Sequence, residues 1–204
     1  MSTVFTFTSL CSLAAVVVAL GFAIVLSRLV LPKNASPRDR RVFVWLSFDA
    51  LIHFFLEGSF LYLSVFGRTV HRSSGAFAEM WKEYARADLR WGVADPTVVS
   101  LELLTVLGVG PLCCYVLYLI SRKDAMQHYW IIVLSTMELY GGFMTFGPEW
   151  LVGSPNLNTS NPMYTWLYLA FMNLIWVFIP AWLLFDSYGS LAHSLPASAA
   201  KKGI

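Results

Sequence analysis

Charge is the scarcest ingredient of this sequence. Asp, Glu, Lys and Arg make up 13% of its 204 residues, where a soluble domain carries about 25%. The formal net charge of +2 is too mild to argue for a nucleic-acid partner. Only three cysteines are present, Cys11, Cys113 and Cys114, all within apolar stretches and two of them adjacent. That excludes a disulfide framework and any metal-ligand spacing, and they read as small apolar packing residues. A glycine-rich phosphate loop, a nucleophile elbow and a metal cluster are also missing, which removes nucleotide, serine-hydrolase and metal chemistry from the reading.

What the chain has instead is hydrophobic length. Apolar residues are 57% of the total. A membrane crossing needs about 20 mainly apolar residues, and five stretches come near it: about Leu10–Leu31, Val42–Phe66, Val98–Ile120, Tyr129–Phe146 and Tyr164–Phe185. The first is too long for a signal peptide and has no basic residue before it, so it reads as a retained helix. The expected fold is an all-α integral membrane protein, a five-transmembrane-helix bundle enclosing an intramembrane ligand cavity, with residues 1–204 as a single membrane domain.

Arg28 with Arg38, Arg40 and Arg41, then Arg122 with Lys123, then Lys201 with Lys202 fall on one side of a five-span layout. The positive-inside rule puts that side, with a tail at 186–204, in the cytosol. The 67–97 connection runs against the rule, carrying Arg68, Arg72, Lys82, Arg86 and Arg90. Its Phe77, Met80, Trp81, Tyr84 and Leu89 give it an apolar side, so it reads as an interfacial helix or lid. The ending Lys201-Lys202-Gly203-Ile204 resembles the di-lysine retrieval signal of the endoplasmic reticulum. Asn158-Thr159-Ser160 is a glycosylation acceptor pattern in the loop assigned to the lumen.

Ionisable groups inside a span are expensive and are functional candidates by default. Span two holds Asp49, His53 and Glu57 at i, i+4 and i+8, hence on one helix face. Span three holds Glu102 and Thr105, span four Glu138, and span five Asn173 and Trp176. Taken singly, Asn173 and Thr105 read as interhelical glue, Trp176 as packing or an interfacial anchor, and Asp49, near the span's start, as a residue touching solvent or headgroups at least as readily as a functional one. Taken together, His53, Glu57 and Glu102 have no Lys or Arg well inside the spans to neutralise them. An imidazole one turn from a glutamate forms a proton-transfer pair. A greasy cavity with acid–base groups suits protonation of an alkene, whose carbocation carboxylates and an indole face would stabilise. The residues alone point to a proton-moving lipid enzyme or a receptor for amphiphilic cations.

The ordered motifs Ile52-His53-Phe54-Phe55-Leu56-Glu57-Gly58, Trp81-Lys82-Glu83-Tyr84-Ala85, Asp88-Leu89-Arg90-Trp91, Glu102-Leu103-Leu104-Thr105 with Gly110-Pro111-Leu112, Leu139-Tyr140-Gly141, and Phe171-Met172-Asn173-Leu174-Ile175-Trp176 with Pro180 resemble the emopamil-binding protein family. These are sterol delta-8,delta-7 isomerases, in a wider group that includes the sigma-2 receptor. The resemblance implies an endoplasmic-reticulum enzyme moving a ring double bond without a cofactor. It also implies catalytic roles for His53, Glu57, Glu102, Thr105, Asn173 and Trp176. His53 and Glu57 would handle the proton added at C9 and the one removed at C7, and Glu102 would face the cation at C8. Thr105 and Asn173 would orient carboxylates, and Trp176 would add cation–π stabilisation. Asp88, Arg90, Trp91, Glu138 and Tyr140 are the substrate-binding candidates. The expected partners are a sterol or other terpenoid substrate, membrane lipids and cationic amphiphilic amines as inhibitors. A homodimer is compatible with this reading, and no nucleic acid is expected.

Where the family often has glutamine this chain has Glu138, and where it often has an acidic residue this chain has Gly142. Three functions therefore compete: a sterol isomerase, a relative isomerising or cyclising another terpenoid, and a non-catalytic binder of sterols or cationic amphiphiles.

Overall fold

The computed structural model describes residues 6–201, with side chains through residue 194. The di-lysine tail, Lys201-Lys202-Gly203-Ile204, lies outside the described side chains. Helix α1 (Phe7–Val30) starts where the Thr6 hydroxyl accepts from the Ser9 N–H, and stops at the extended Leu31 before Pro32. Helix α2 (Pro37–Ser64) has Ser36 as its N-cap and Pro37 in its first turn, the position where a missing N–H does no harm. It widens into a π-helical segment at Ile52–Glu57.

The connection that follows folds as helix α3 (Ala76–Ala85) and a single turn, α4 (Arg90–Val93). Asp95 then caps helix α5 (Pro96–Ser121), accepting from the Thr97 and Val98 N–H groups. A second π-helical segment, Thr105–Val109, ends just before Pro111. Proline has no N–H to give the preceding turn and its ring crowds the carbonyl below it, so the turn is widened there. Helix α6 (Met126–Leu151) carries Pro148 inside it. Helix α7 opens with a π-helical segment, Met163–Phe171, and continues as the α-helix Met172–Lys201.

Four of these helices, Phe7–Val30, Pro37–Ser64, Pro96–Ser121 and Met163–Ser194, are long and apolar enough to cross a membrane. With that many such helices, the chain is a multi-pass membrane protein. The fifth expected span, 129–146, is helical as part of α6 and matches the others in length. It falls short of them in apolarity because Glu138 and several Ser, Thr, Tyr and Gly residues interrupt it, with Gln127, His128 and Glu149 at its flanks in the same helix.

Helix α6 lies along α7, α2 packs between α1 and α5, and α3 rests on α1. Ala23, Leu46, Cys113, Val116, Ile131, Leu134 and Leu183 fill the centre. A second cluster, Phe60, Val70, Trp81, Trp91 and Val98, seats α3 and α4 against α2 and α5. In it the Trp81 and Trp91 rings stack 5.0 Å apart.

Two polar networks fasten opposite ends. At one, Arg38 donates to Asp186 Oδ2 at 2.8 Å and to Gln127, joining α2, α7 and α6. At the other, Arg90 makes a bidentate pair with Asp88 at 2.9 and 2.6 Å and donates to the Thr145 carbonyl. Glu149, 3.8 Å from Arg90 Nε, accepts from the Asn156 backbone and side-chain amides. Burial opposes the Arg90 charge, yet the hydrogen-bonded Asp88 carboxylate holds its pKa above the ordinary guanidinium value.

Candidate active site

A cavity of about 400 Å³ lies among α1, α2, α3, α5, α6 and α7. Its walls are mainly apolar: Leu13, Val16, Phe48, Ile52, Leu56, Met80, Leu101, Met137, Phe171 and Ile175 among others. His53, Glu57, Glu102, Thr105, Glu138, Asn173 and Trp176 all contribute to its lining, as do Trp91 and Tyr84. No Lys or Arg is among the described residues that line it.

His53 is buried to 2% exposure and faces a carboxylate from each ring nitrogen. Its Nδ1 lies 2.5 Å from Glu57 Oε2 and its Nε2 3.3 Å from Asp49 Oδ1. The i, i+4 spacing on both sides makes this arrangement local to α2. From α5, Thr105 Oγ1 donates to Glu102 Oε2 at 3.0 Å, and that carboxyl stands beside Glu57.

Asp49 is a correction to the sequence reading. Expected at a solvent or headgroup boundary, it is fully buried. Its Oδ1 accepts from the Trp176 indole N–H at 2.8 Å and its Oδ2 from the Cys113 thiol at 3.3 Å. Cys113 therefore does more than pack, whereas Cys11 and Cys114 are exposed. Donor atoms of Asp49, His53 and Cys113 lie within 4.8 Å of one another, a trio the sequence spacing did not bring out. With both Asp49 oxygens accepting hydrogen bonds, Asp49 and Cys113 form a support behind His53, whose Nε2 faces Asp49 at ion-pair distance without a hydrogen bond.

Asn173 donates to the Tyr84 hydroxyl at 3.2 Å and to the Tyr168 carbonyl at 2.8 Å. It bonds no carboxylate among the described residues, in contrast to the orienting role the resemblance implied. Tyr84 was not singled out among the site candidates; its signals were its place in the Trp81-Lys82-Glu83-Tyr84-Ala85 motif and on the apolar side of the connection. Burial pushes its hydroxyl above the usual phenol pKa, so it stays a neutral group over the cavity.

Three substrate-binding candidates lie off the lining. Asp88 and Arg90 are consumed by their mutual ion pair, and Tyr140 is 61% exposed on the outer side of α6. Glu83, unremarked in the sequence as a site residue, does line the cavity, where it accepts from Ser9 at 2.9 Å and pairs with Arg86 at 3.1 Å. Asn158 ties its loop to the 67–97 connection: its amide nitrogen donates to the Arg86 carbonyl and its oxygen accepts from Ser160.

A family model, EXPERA (EXPanded EBP superfamily), matches residues 76–187. The chain is 29% identical over 143 residues to the 3-beta-hydroxysteroid-Delta(8),Delta(7)-isomerase of Cavia porcellus, a match covering 70% of the chain and 61% of that protein. The chain thus spans about three fifths of the length of that relative. It is 31% identical over 157 residues to a probable isomerase of the same name from Arabidopsis thaliana, covering 77% of the chain and 69% of that protein. To isomeliandiol synthase of Melia azedarach it is 29% identical over 151 residues, covering 74% and 69%.

Proposed function

Because the chain belongs to the EXPERA family, we propose that it is a membrane enzyme shifting a ring double bond by proton addition and removal, with a delta-8 sterol as substrate and a delta-7 sterol as product. The observation that carries this is the His53–Glu57 contact at 2.5 Å on the wall of an apolar cavity lined by no Lys or Arg among the described residues. His53 and Glu57 place a proton at C9 of the alkene, leaving a cation at C8, and take one from C7 to restore the double bond. The two transfers balance, so the chemistry needs no cofactor. Glu102, aligned by Thr105, supplies negative charge to the cation, and the Trp176 ring adds to it. Asp49 stabilises the imidazolium from its far side. Asn173 and Tyr84 position the cavity wall rather than a carboxylate.

The protein sits as one membrane unit in the endoplasmic reticulum, α6 supplying a fifth crossing beside α7 and the basic C-terminus facing the cytosol. The same chemistry on another terpenoid is favoured by one observation, the presence of Glu138 and Gly142 in the lining where the family often has glutamine and an acidic residue.

The test is turnover of a delta-8 sterol by purified protein in D2O with no cofactor added. Deuterium at C9 of a delta-7 product is the expected result, lost in His53→Ala. Deuterium in another terpenoid moves the substrate assignment. A protein that converts no lipid yet binds amphiphilic amines tightly is a receptor and sinks the enzymatic reading.

A further inference from the structure

Among the described residues, four carboxyl groups line the cavity, and three of them are held. Glu57 is bonded to His53, Glu102 accepts from Thr105, and Glu83 accepts from Ser9. Glu138 is different. It is 7% exposed, and neither of its carboxyl oxygens has a hydrogen-bond partner among the described residues. Its polar neighbour is the Asp49 carboxyl, which has no proton donor of its own, so a proton shared between the two would engage one Glu138 oxygen and leave the other without a donor. Native structures rarely leave a buried carboxyl unsatisfied, because burial strips it of water without return. Such a group facing a cavity calls for an explanation, and a polar atom of what enters the cavity supplies one.

We propose that Glu138 binds a hydroxyl group of the substrate, and so selects an oxygenated polycyclic lipid over the same skeleton without that oxygen. The inference rests on the cavity being the substrate site. A hydroxyl is the matching chemistry because it can both donate to and accept from a carboxyl, whichever protonation state the carboxyl holds. A fixed cation is the poorer match, since Glu57 and Glu102 already gather negative charge beside His53. Glu138 neighbours Asp49, which stands 3.3 Å from His53 Nε2. The selected hydroxyl therefore lies close to the reacting carbons rather than at a remote end of the molecule.

The probes are decalin tertiary amines, one parent and a set of isomers each carrying a single ring hydroxyl. Their affinities for the purified full chain in detergent are measured by competition. At least one isomer is expected to bind about fivefold tighter than the parent, the size of a typical net hydrogen bond. Glu138→Leu is expected to erase that advantage, read as the ratio of each isomer's affinity to the parent's within the same variant. Glu138→Ala reads the same difference if leucine is not tolerated. An advantage that survives either substitution, or no preferred isomer at all, overturns the inference. No amine binding to the unaltered protein overturns it together with the carbocation reading. Intact sterol turnover without hydroxyl discrimination overturns this inference alone.

Discussion

The Trp176 indole N–H donates to Asp49 Oδ1 across 2.8 Å, joining α7 to α2 behind His53. Trp176→Phe keeps an aromatic ring but strands a buried carboxylate. A hydrogen bond to a charged group contributes about 1.5–3 kcal/mol, so denaturant titration in detergent should show a loss of that order. Trp176→Phe combined with Asp49→Asn should lose no more than the larger single variant, since both break one interaction. Fully additive losses would show that the bond contributes nothing.

Glu102→Gln retains the shape of the side chain and its contact with Thr105 but removes the negative charge. By analogy with loss of one oxyanion-hole donor, about 2.7–4 kcal/mol of transition-state stabilisation disappears, roughly a 10²–10³-fold fall in kcat. Steady-state assay on a delta-8 sterol measures it. Activity within about threefold of the parent enzyme, too small a change for a charge facing a cation, would remove Glu102 from the mechanism.

Gly110 lets α5 approach the π-helical segment of α2. A Cβ placed there would meet the Phe54 ring at 3.1 Å and His53 Cβ at 3.3 Å. His53 Cβ is tied to the backbone and cannot swing away. Gly110→Ala should lower the unfolding free energy by about 1–3 kcal/mol, the usual range for overpacking. It should also depress kcat, because misplacing a reacting group by about 1 Å can cost about 10²-fold. Gly21→Ala, with nothing within 4 Å of the added carbon, should be near neutral in both measurements.

Arg90→Met leaves Asp88 and Glu149 buried without their cation. Breaking a buried pair from one side typically destabilises by about 3–5 kcal/mol. A lowered melting temperature in detergent is expected, with amine affinity retained in the folded fraction because Arg90 does not line the cavity. Arg90→Lys should rescue poorly, since a lysine cannot reproduce the two-pronged bond to Asp88.

Hydrophobic run length was enough to locate the long helices, and α-helical spacing was enough to put Asp49, His53 and Glu57 on one face. Both signals are local. What the sequence could not show depends on contacts between distant segments. Asp49 looked peripheral because its satisfying donors, Cys113 and Trp176, lie 64 and 127 positions away. Asp88 and Arg90 looked like ligand contacts, but residues two apart at a turn close on each other. Tyr140 adjoins Gly141, which lines the cavity, yet the helical turn carries it to the outside face. The widened turns at Ile52–Glu57 and Thr105–Val109 leave no mark in hydrophobic periodicity beyond Pro111.

The Arg38 and Arg90 networks carry a consequence for how such a protein can change. Each grips several segments at its own end of the bundle, and neither arginine lines the cavity. The bundle is held like a barrel by two hoops, so the staves between them can be recut without the barrel falling open. Substitutions along Met137, Gly141, Gly142 or Leu101 alter the shape of the interior while leaving both hoops in place. A scaffold of this kind can take a differently shaped occupant after a few wall changes, because the contacts that hold the bundle closed are not the contacts that shape its interior.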